Sequence, residues 1–254
     1  MERLLLYKLA ICAYFILTSF TRAVSAETLY LVNDDFPPYN SASLLKGGLA
    51  TDIVTTALKR AGYETRIEFL PWSRALKYAK TGRADGVLGA WHTEERAKNY
   101  LYSTPLLNSK LRLVKLTAKE ITIENLEALS VYSIGLLRNY AYELPVAYED
   151  TNTTVINDFY QGLELLRRGR IDLLPEEENV ARHQLQKIYP KWDEIYNFAG
   201  PVLGHKALHF VISKKRKDAD TIIRRFNEAL AQIKSDGTLA QIYRDHNIPP
   251  PDDL

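Results

Sequence analysis

A short motif occurs twice in this chain and constrains its fold more than any other feature. Residues 82–87 have the sequence GRADGV, and residues 169–174 have the sequence GRIDLL. In both places a helical pattern ends at the glycine, which takes the left-handed cap conformation at little cost, and a short apolar strand follows the aspartate. We therefore predict two similar α/β lobes, each containing a strand that follows this motif.

Strand and helix patterns alternate through the first lobe. Residues 29–32 have a strand pattern, residues 51–61 form an amphipathic helical pattern, and a second strand follows. Ser73 is then predicted to cap the helix that ends near Gly82. This βαβ order predicts a mostly parallel sheet, in which ligands bind beyond the carboxyl ends of the strands. Phe36, Trp72 and residues 89–96 each follow a strand, so we expect them to converge on one edge of the sheet.

The loop after the first strand carries two aromatic residues. Two prolines stop the strand and stiffen this loop, which has the sequence DDFPPY at residues 34–39. Phe36 and Tyr39 either cover the edge of the sheet, or one of them forms an aromatic wall for a ligand.

The segment after the third strand is suited to binding an anion. Thr93 is predicted to cap a helix whose first amides are free, and Arg96 adds a planar fork of donors that matches a carboxylate. The alternative is a solvated arginine paired with Glu94 or Glu95. In the second lobe, the acidic run PEEE at residues 175–178 offers carboxylates, so a zwitterionic ligand would fit between the lobes. The alternative for that run is a solvated loop.

Residues 1–26 have the pattern of a secretory signal peptide. Arg3 and Lys8 form a basic start, residues 9–17 are apolar, and Ala26 ends a small-residue cleavage site. The apolar run is shorter than the roughly 20 residues of a membrane-spanning helix. We therefore expect an exported protein whose mature chain begins near residue 27.

The remaining charge and cysteine content excludes several classes of function. The 33 basic and 31 acidic residues include three basic and one acidic residue within the first 26, so the mature chain is neutral. Such a balance does not predict a nucleic-acid partner. The single Cys and the single Met also lie within the first 26 residues. The mature chain therefore needs no disulfide and contains no cysteine nucleophile.

Catalysis and metal binding are the rival interpretations. His205 and His209 share one face of an extended segment, but no third ligand is predicted near them, so we expect no metal and no cofactor. His92 lies beside the predicted site and is interpreted as a hydrogen-bonding residue. Paired acids with Arg96 would also suit a dehydratase on this fold, but no general acid is predicted next to a defined substrate. We therefore expect a protein that is not an enzyme.

Taken together, the motifs resemble the periplasmic solute-binding proteins of amino-acid uptake systems, the extracellular solute-binding family 3 group. The resemblance covers the whole mature chain and rests on the order of DDFPPY, GRAD, TEER followed by YSTP, GRID, FNEAL and DGTL. It implies a type II periplasmic binding fold, with two α/β lobes joined by two crossing segments near residues 108–111 and 204–208. The expected division is a signal peptide at 1–26, lobe 1 at 27–109 and 207–254, and lobe 2 at 110–206.

The resemblance also assigns roles to individual residues. Arg96 matches the arginine that binds a ligand carboxylate, and Glu177, to within one position, matches the acid that binds the ligand amine. The other positions implied are the aromatic walls Phe36 and Trp72, the backbone near Gly89 and Trp91, and the start of a second-lobe helix at Asn139, Tyr140 and Ala141.

The sequence also departs from the family pattern. Asn139 and Tyr140 stand where a glycine and a small hydroxyl residue are common, Glu177 replaces an aspartate, and Trp91 replaces a small residue. The loop from Asp85 to the arginine is one residue shorter than is typical. These departures predict a pocket that is smaller, of a different shape, or built for a ligand other than a standard amino acid.

The resemblance implies a monomeric protein that captures a small polar ligand, an amino acid or a small carboxylate, and delivers it to an inner-membrane ABC transporter. A ligand-sensing module for a separate signalling protein and a dehydratase-like enzyme remain alternatives.

Overall fold

The computed structural model describes residues 26–142 and 152–250. Its secondary structure alternates strands and helices, with two short 3-10 helices at Leu45–Gly47 and Leu126–Val131. The strands are β1 (Glu27–Asn33), β2 (Tyr63–Phe69), β3 (Gly86–Trp91), β4 (Tyr100–Tyr102), β5 (Leu107–Leu116), β6 (Ser133–Leu137), β7 (Asn152–Ile156), β8 (Leu174–Glu177) and β9 (Tyr196–Ser213). The helices are α1 (Leu49–Arg60), α2 (Trp72–Thr81), α3 (Glu94–Ala97), α4 (Phe159–Arg167), α5 (Glu178–Ile188), α6 (Trp192–Ile195), α7 (Ala219–Ser235) and α8 (Thr238–Asp245).

The main sheet has the strand order β2-β1-β3-β9-β5-β8, and β4 also pairs with β9. β1 is parallel to both β2 and β3, as the βαβ pattern predicted, whereas β9 runs antiparallel to β3, β4 and β5. In the second lobe β6 is parallel to β7 and is linked by a bridge between Ile134 and Leu173 to the chain that enters β8. The two α/β lobes of the predicted fold class are therefore present.

Two long strands, β5 and β9, run through both lobes. Asn108 pairs with Ala207 and Leu111 pairs with Gly204, which are the segments in which the sequence predicted the crossings. Beyond this point the register shifts, so that Leu113 faces Ala199. The carboxyl half of β9 pairs with β3, and the carboxyl half of β5 pairs with β8. Each lobe is thus built on a different half of the same strand pair.

The apolar faces of the helices, including the one predicted over residues 51–61, lie in the core. In the first lobe Ile53 of α1 and Phe226 of α7 are fully buried, and the Phe226 ring packs 4.6 Å from the ring of Phe210 on β9. In the second lobe the buried face of α4 carries Phe159, Leu163 and Leu166. Burial of these side chains holds the helices against their sheets, since each contributes about 1.5–3 kcal/mol of hydrophobic free energy.

The repeated Gly-Arg-x-Asp motif makes equivalent contacts in the two lobes. The Asp85 carboxylate accepts a hydrogen bond from the Tyr30 amide of β1 at 2.7 Å, and the Asp172 carboxylate accepts one from the Ser133 amide of β6 at 2.8 Å. Each aspartate also donates its own amide to the carbonyl of that same strand residue at 2.7 Å. In each lobe the motif therefore links the segment that follows a helix to a neighbouring strand, β1 or β6. These equivalent contacts confirm the internal repeat.

In the part of the chain that the structure describes, no helix combines the length and apolar character needed to cross a membrane. The N-terminal segment with the signal-peptide pattern lies outside the described residues, apart from Ala26.

A glycine substitution tests the closeness of β3 and β9. A Cβ atom at Gly86 would lie 2.2 Å from the carbonyl oxygen of Val211, which belongs to the β9 backbone and cannot rotate away. Gly86→Ala should therefore lower the free energy of unfolding by about 1–3 kcal/mol, measured by urea denaturation. Gly204→Ala is the matched control, because a Cβ there meets no atom within 4 Å. Equal stability of the two variants would contradict this packing.

Candidate functional site

An aromatic cluster lies where the two lobes meet, and Tyr140 is at its centre. The Tyr140 ring makes edge contacts with three first-lobe rings: Trp91 at 6.0 Å, Trp72 at 6.1 Å and Phe36 at 6.4 Å. Such tilted ring pairs are favourable beyond their buried area. The predicted convergence of Phe36, Trp72 and the segment after β3 is therefore present, but a side chain of the second lobe fills the space between them.

The position of Arg96 follows from its local sequence. The Thr93 side chain caps α3 by accepting the Arg96 amide hydrogen bond at 3.1 Å, as predicted. The guanidinium then turns back toward the sheet, donates to the Trp91 carbonyl at 2.9 Å and lies 5.1 Å from the centre of the Trp72 ring. Arg96 is only 9% exposed, and this burial lowers its pKa from the ordinary value. It is therefore not the solvated arginine of the alternative interpretation.

A backbone carbonyl of the second lobe occupies the outer donors of Arg96. The Asn139 carbonyl accepts from Arg96 Nη2 at 2.6 Å and from Trp72 Nε1 at 3.0 Å. Asn139 adopts a positive φ of 63°, a conformation that Asn tolerates better than most residues. Its side-chain amide also donates to Ser73 Oγ at 2.8 Å. The Asn139 carbonyl thus lies where the resemblance would place the oxygen of a ligand carboxylate.

One sequence expectation about this region is wrong. Ser73 was expected to cap the helix that ends at Gly82, but α2 begins at Trp72, with Pro71 at the cap position and no side-chain cap. The Ser73 hydroxyl is instead an acceptor for Asn139 across the cleft. Proline is tolerated at a helix start because it lacks an amide that would otherwise be unpaired, so the serine is free to contact the other lobe.

The lobes are in direct contact around Arg96. The Tyr140 hydroxyl adds a further bond between lobes, to Asp34 Oδ2 at 3.0 Å. The cavity that remains beside Arg96, Gly89, Trp91 and Tyr140 has a volume of about 20 Å³. A single water molecule needs at least roughly 10–15 Å³, so this space holds one water and no amino acid. The Gly89 amide is also occupied, since it donates to Asn33 Oδ1 at 3.2 Å.

Two residues of the acidic run, Glu176 and Glu177, lie at the end of β8 and have different environments. Glu177 is fully buried and caps α5, with its carboxylate accepting from the amides of Val180 at 2.9 Å and Lys110 at 3.3 Å and from the Tyr39 hydroxyl at 3.2 Å. Burial raises its pKa to about 7. The run is therefore not a solvated loop. The carboxylate of Glu177 already has three hydrogen-bond donors within the protein.

Glu176 faces the cleft. It is 1% exposed, and its Oε1 accepts from the Glu177 amide at 2.8 Å. Burial, followed by the nearby charges of Glu177 and Asp34, raises the pKa of Glu176 to about 8. Burial likewise raises the pKa of Asp34 to about 6. Sequence reasoning named the acidic run and the DDFPPY motif but singled out neither of these two carboxyl groups, because only the tertiary fold brings them to the same cleft.

Within residues 26–142 and 152–250, no three His, Cys, Asp or Glu side chains are grouped so that they could hold a metal ion. His209 Nδ1 instead lies 2.8 Å from the Ser103 carbonyl oxygen. The helix predicted to begin at Asn139, Tyr140 and Ala141 would continue into residues outside the described part of the chain.

The buried acids make stability depend on pH. Between the ordinary pKa of 4.5 and the raised value of about 8, folded Glu176 keeps a proton that the unfolded chain has lost. The free energy of unfolding should therefore fall as the pH rises from about 5 to 8, by at most about 1.4 kcal/mol per pH unit for each such group.

Glu176→Gln should make this pH dependence shallower, measured by urea denaturation at each pH, while the contributions of Glu177 and Asp34 remain. Glu178→Gln should retain it, because Glu178 pairs at the surface with Arg112 and Arg182. The same slope in both variants would show that Glu176 is ionised at neutral pH in the folded protein.

Known proteins share this architecture. The L-cystine-binding protein TcyJ of Escherichia coli (strain K12) is 23% identical over 195 residues, which cover 76% of this chain and 71% of that protein. An ancestral arginine-binding protein bound to arginine superposes with a TM-score of 0.72 at 22% identity, covering 87% and 98% of the two chains. A histidine kinase sensor domain superposes with a TM-score of 0.76 at 18% identity, covering 89% and 99%.

The structural likenesses, at these identities, establish the type II fold that the sequence predicted. The family assignment comes from the sequence itself, because the pattern of the bacterial extracellular solute-binding proteins, family 3, matches residues 30–247. That match spans both lobes and every predicted site residue. The chain belongs to the bacterial extracellular solute-binding proteins, family 3.

Proposed function

We propose that this protein is an exported, monomeric binding protein that captures an amino acid or related small carboxylate between its lobes and delivers it to an inner-membrane ABC transporter. The observation that carries the proposal is the buried guanidinium of Arg96, whose outer donors point across the cleft to a backbone carbonyl. A ligand carboxylate would displace the Asn139 carbonyl and form charge-assisted bonds in its place.

The proposed lobes are residues 27–109 with 207–254, and residues 110–206. Opening by rotation about the β5–β9 pair would break the contacts of Asn139 and Tyr140 with the first lobe and admit the ligand. Closure on the ligand would then restore an equivalent set of contacts, and the difference in contact energy between the two states would drive the motion. Phe36, Trp72 and Trp91 would form the walls of the site.

A ligand-sensing role is the second candidate, and the likeness to a histidine kinase sensor domain favours it. In that case the closed form would be recognised by a separate signalling protein. Uptake of radiolabelled ligand by cells with and without the protein separates the two roles, because only the transport role requires uptake to fall when the protein is absent. A binding role fits the acids better than dehydratase chemistry, since Glu177 already accepts bonds from Val180, Lys110 and Tyr39.

Replacement of Arg96 tests the proposed carboxylate site. Arg96→Ala should weaken the binding of amino-acid ligands roughly 10- to 100-fold, because hydrogen bonds to charged groups contribute about 1.5–3 kcal/mol each. The measurement is isothermal titration calorimetry of the purified protein against a panel of amino acids, with circular dichroism to show that the variant folds. Arg83→Ala is the control, because Arg83 is exposed and stacks on Tyr78 away from the cleft. Unchanged affinity in Arg96→Ala would remove Arg96 from the binding site.

A further inference from the structure

A large open space lies between the lobes and is lined by Tyr140. This acidic cleft has a volume of about 750 Å³, against about 20 Å³ for the cavity beside Arg96. Ligand sites commonly measure roughly 300–1,000 Å³, so the acidic cleft is large enough for a small ligand in this closed arrangement. Arg96 does not line it.

Carboxyl groups outnumber basic groups on the walls of the acidic cleft. Asp34, Asp35 and Asp158 line it together with Glu176, whereas Arg138 is the basic residue among the described lining. The surplus of acids matches a ligand group with net positive charge. Asp158 is partly engaged, since it caps α4 by accepting from the Gln161 amide at 2.8 Å.

Glu176 has a carboxylate oxygen without a partner in the described part of the chain. Its Oε1 accepts from the Glu177 amide at 2.8 Å, and its Oε2 accepts no hydrogen bond there, although the residue is only 1% exposed. Glu176 lines the acidic cleft, so a donor that enters the cleft can bond this oxygen. Asp34 approaches from the opposite lobe, fixed by the Tyr140 hydroxyl at 3.0 Å.

Aromatic rings complete the walls. Trp72, Tyr140, Phe159 and Tyr160 all line the acidic cleft. Their faces attract cations by the ring quadrupole, most strongly where water is excluded. The acids and the aromatic rings together form a lining suited to an organic cation.

We propose that the acidic cleft is a subsite for an organic cation, a primary amine or guanidinium beyond the α-amino group, held between Asp34 and Glu176. This subsite rests on the proposed function, which places the ligand between the lobes. The subsite adds the chemical class of that ligand. A cationic amino acid would reach Arg96 with its carboxylate and the acidic cleft with its side chain.

The raised pKa of Glu176, about 8, agrees with this assignment, because a cation would compensate the buried charge and displace the proton. The charged groups that act on Glu176 are Glu177 and Asp34. Arg112, opposite Glu176 on β5, turns instead to Glu178 at 3.5 Å.

A matched pair of ligands tests the subsite. L-Lysine and L-norleucine differ at the end of the side chain by the amine, and cadaverine carries amines without a carboxylate. In calorimetric titrations of the purified protein near pH 8, L-lysine should bind at least roughly 10-fold more tightly than L-norleucine, the equivalent of about 1.4 kcal/mol, and cadaverine should also bind. Glu176→Gln should remove the preference for L-lysine, because it should weaken the binding of L-lysine more than that of L-norleucine.

Two further variants control the experiment. Asp34→Asn, at a partly exposed position, should reduce the same preference even if the buried Glu176→Gln variant folds poorly. Glu178→Gln makes the same change of charge two residues away, outside the cleft lining, and should retain the preference. Thermal melting of each variant shows whether it is folded.

The outcomes separate the two proposals. Equal affinity for L-lysine and L-norleucine would overturn the cation subsite. So would an equal loss of affinity for the two ligands in Glu176→Gln and Asp34→Asn. Binding of L-norleucine that depends on Arg96 would still uphold the proposed function. Binding of cadaverine that depends on Glu176, together with no binding of L-norleucine, would uphold the subsite and overturn the carboxylate site. Binding of none of the three probes would overturn the subsite.

Discussion

The antiparallel pairing of β5 with β9 is the interaction on which the rest of the structure depends. These two strands run through both lobes and place the two halves of the cleft next to one another. Leu208 of β9 pairs with both Trp91 and Leu107, and Leu111 of β5 pairs with Glu177. The first-lobe wall and the second-lobe acids therefore lie beside a single strand pair, a few residues apart, although they are distant in the chain.

A buried charge governs how the lobes meet. Arg96 loses hydration when it is enclosed by Trp72, Trp91 and Tyr140, and a buried guanidinium must be compensated by hydrogen-bond acceptors. Two backbone carbonyls supply this compensation, one from each lobe. A carboxylate would do so more strongly than the Asn139 carbonyl, which is the physical reason to expect an anionic group of a ligand to compete for this position.

Tyr140 lines two spaces at the interface between the lobes. The small cavity is also lined by Arg96 and Asp34, whereas the acidic cleft is lined by Asp34 and Glu176 but not by Arg96. The Tyr140 ring packs against Trp91, and its hydroxyl donates to Asp34. The family resemblance marked position 140 as unusual, since a small hydroxyl residue is common there, and the structure explains the consequence: the larger side chain occupies part of the space between the lobes.

Sequence patterns predicted the two α/β lobes, the helix over residues 51–61 and the Thr93 cap beside Arg96. These features follow from local periodicity, from a capping residue and from a motif whose contacts at Asp85 and Asp172 repeat in each lobe. The type II arrangement of the lobes came from the family resemblance. Only the tertiary structure decided that Ser73 contacts Asn139 instead of capping α2, that Glu177 caps α5 while Glu176 faces the cleft, and that the Asn139 carbonyl covers Arg96. These depend on which groups meet across the two lobes, and neither spacing nor propensity along one segment carries that information.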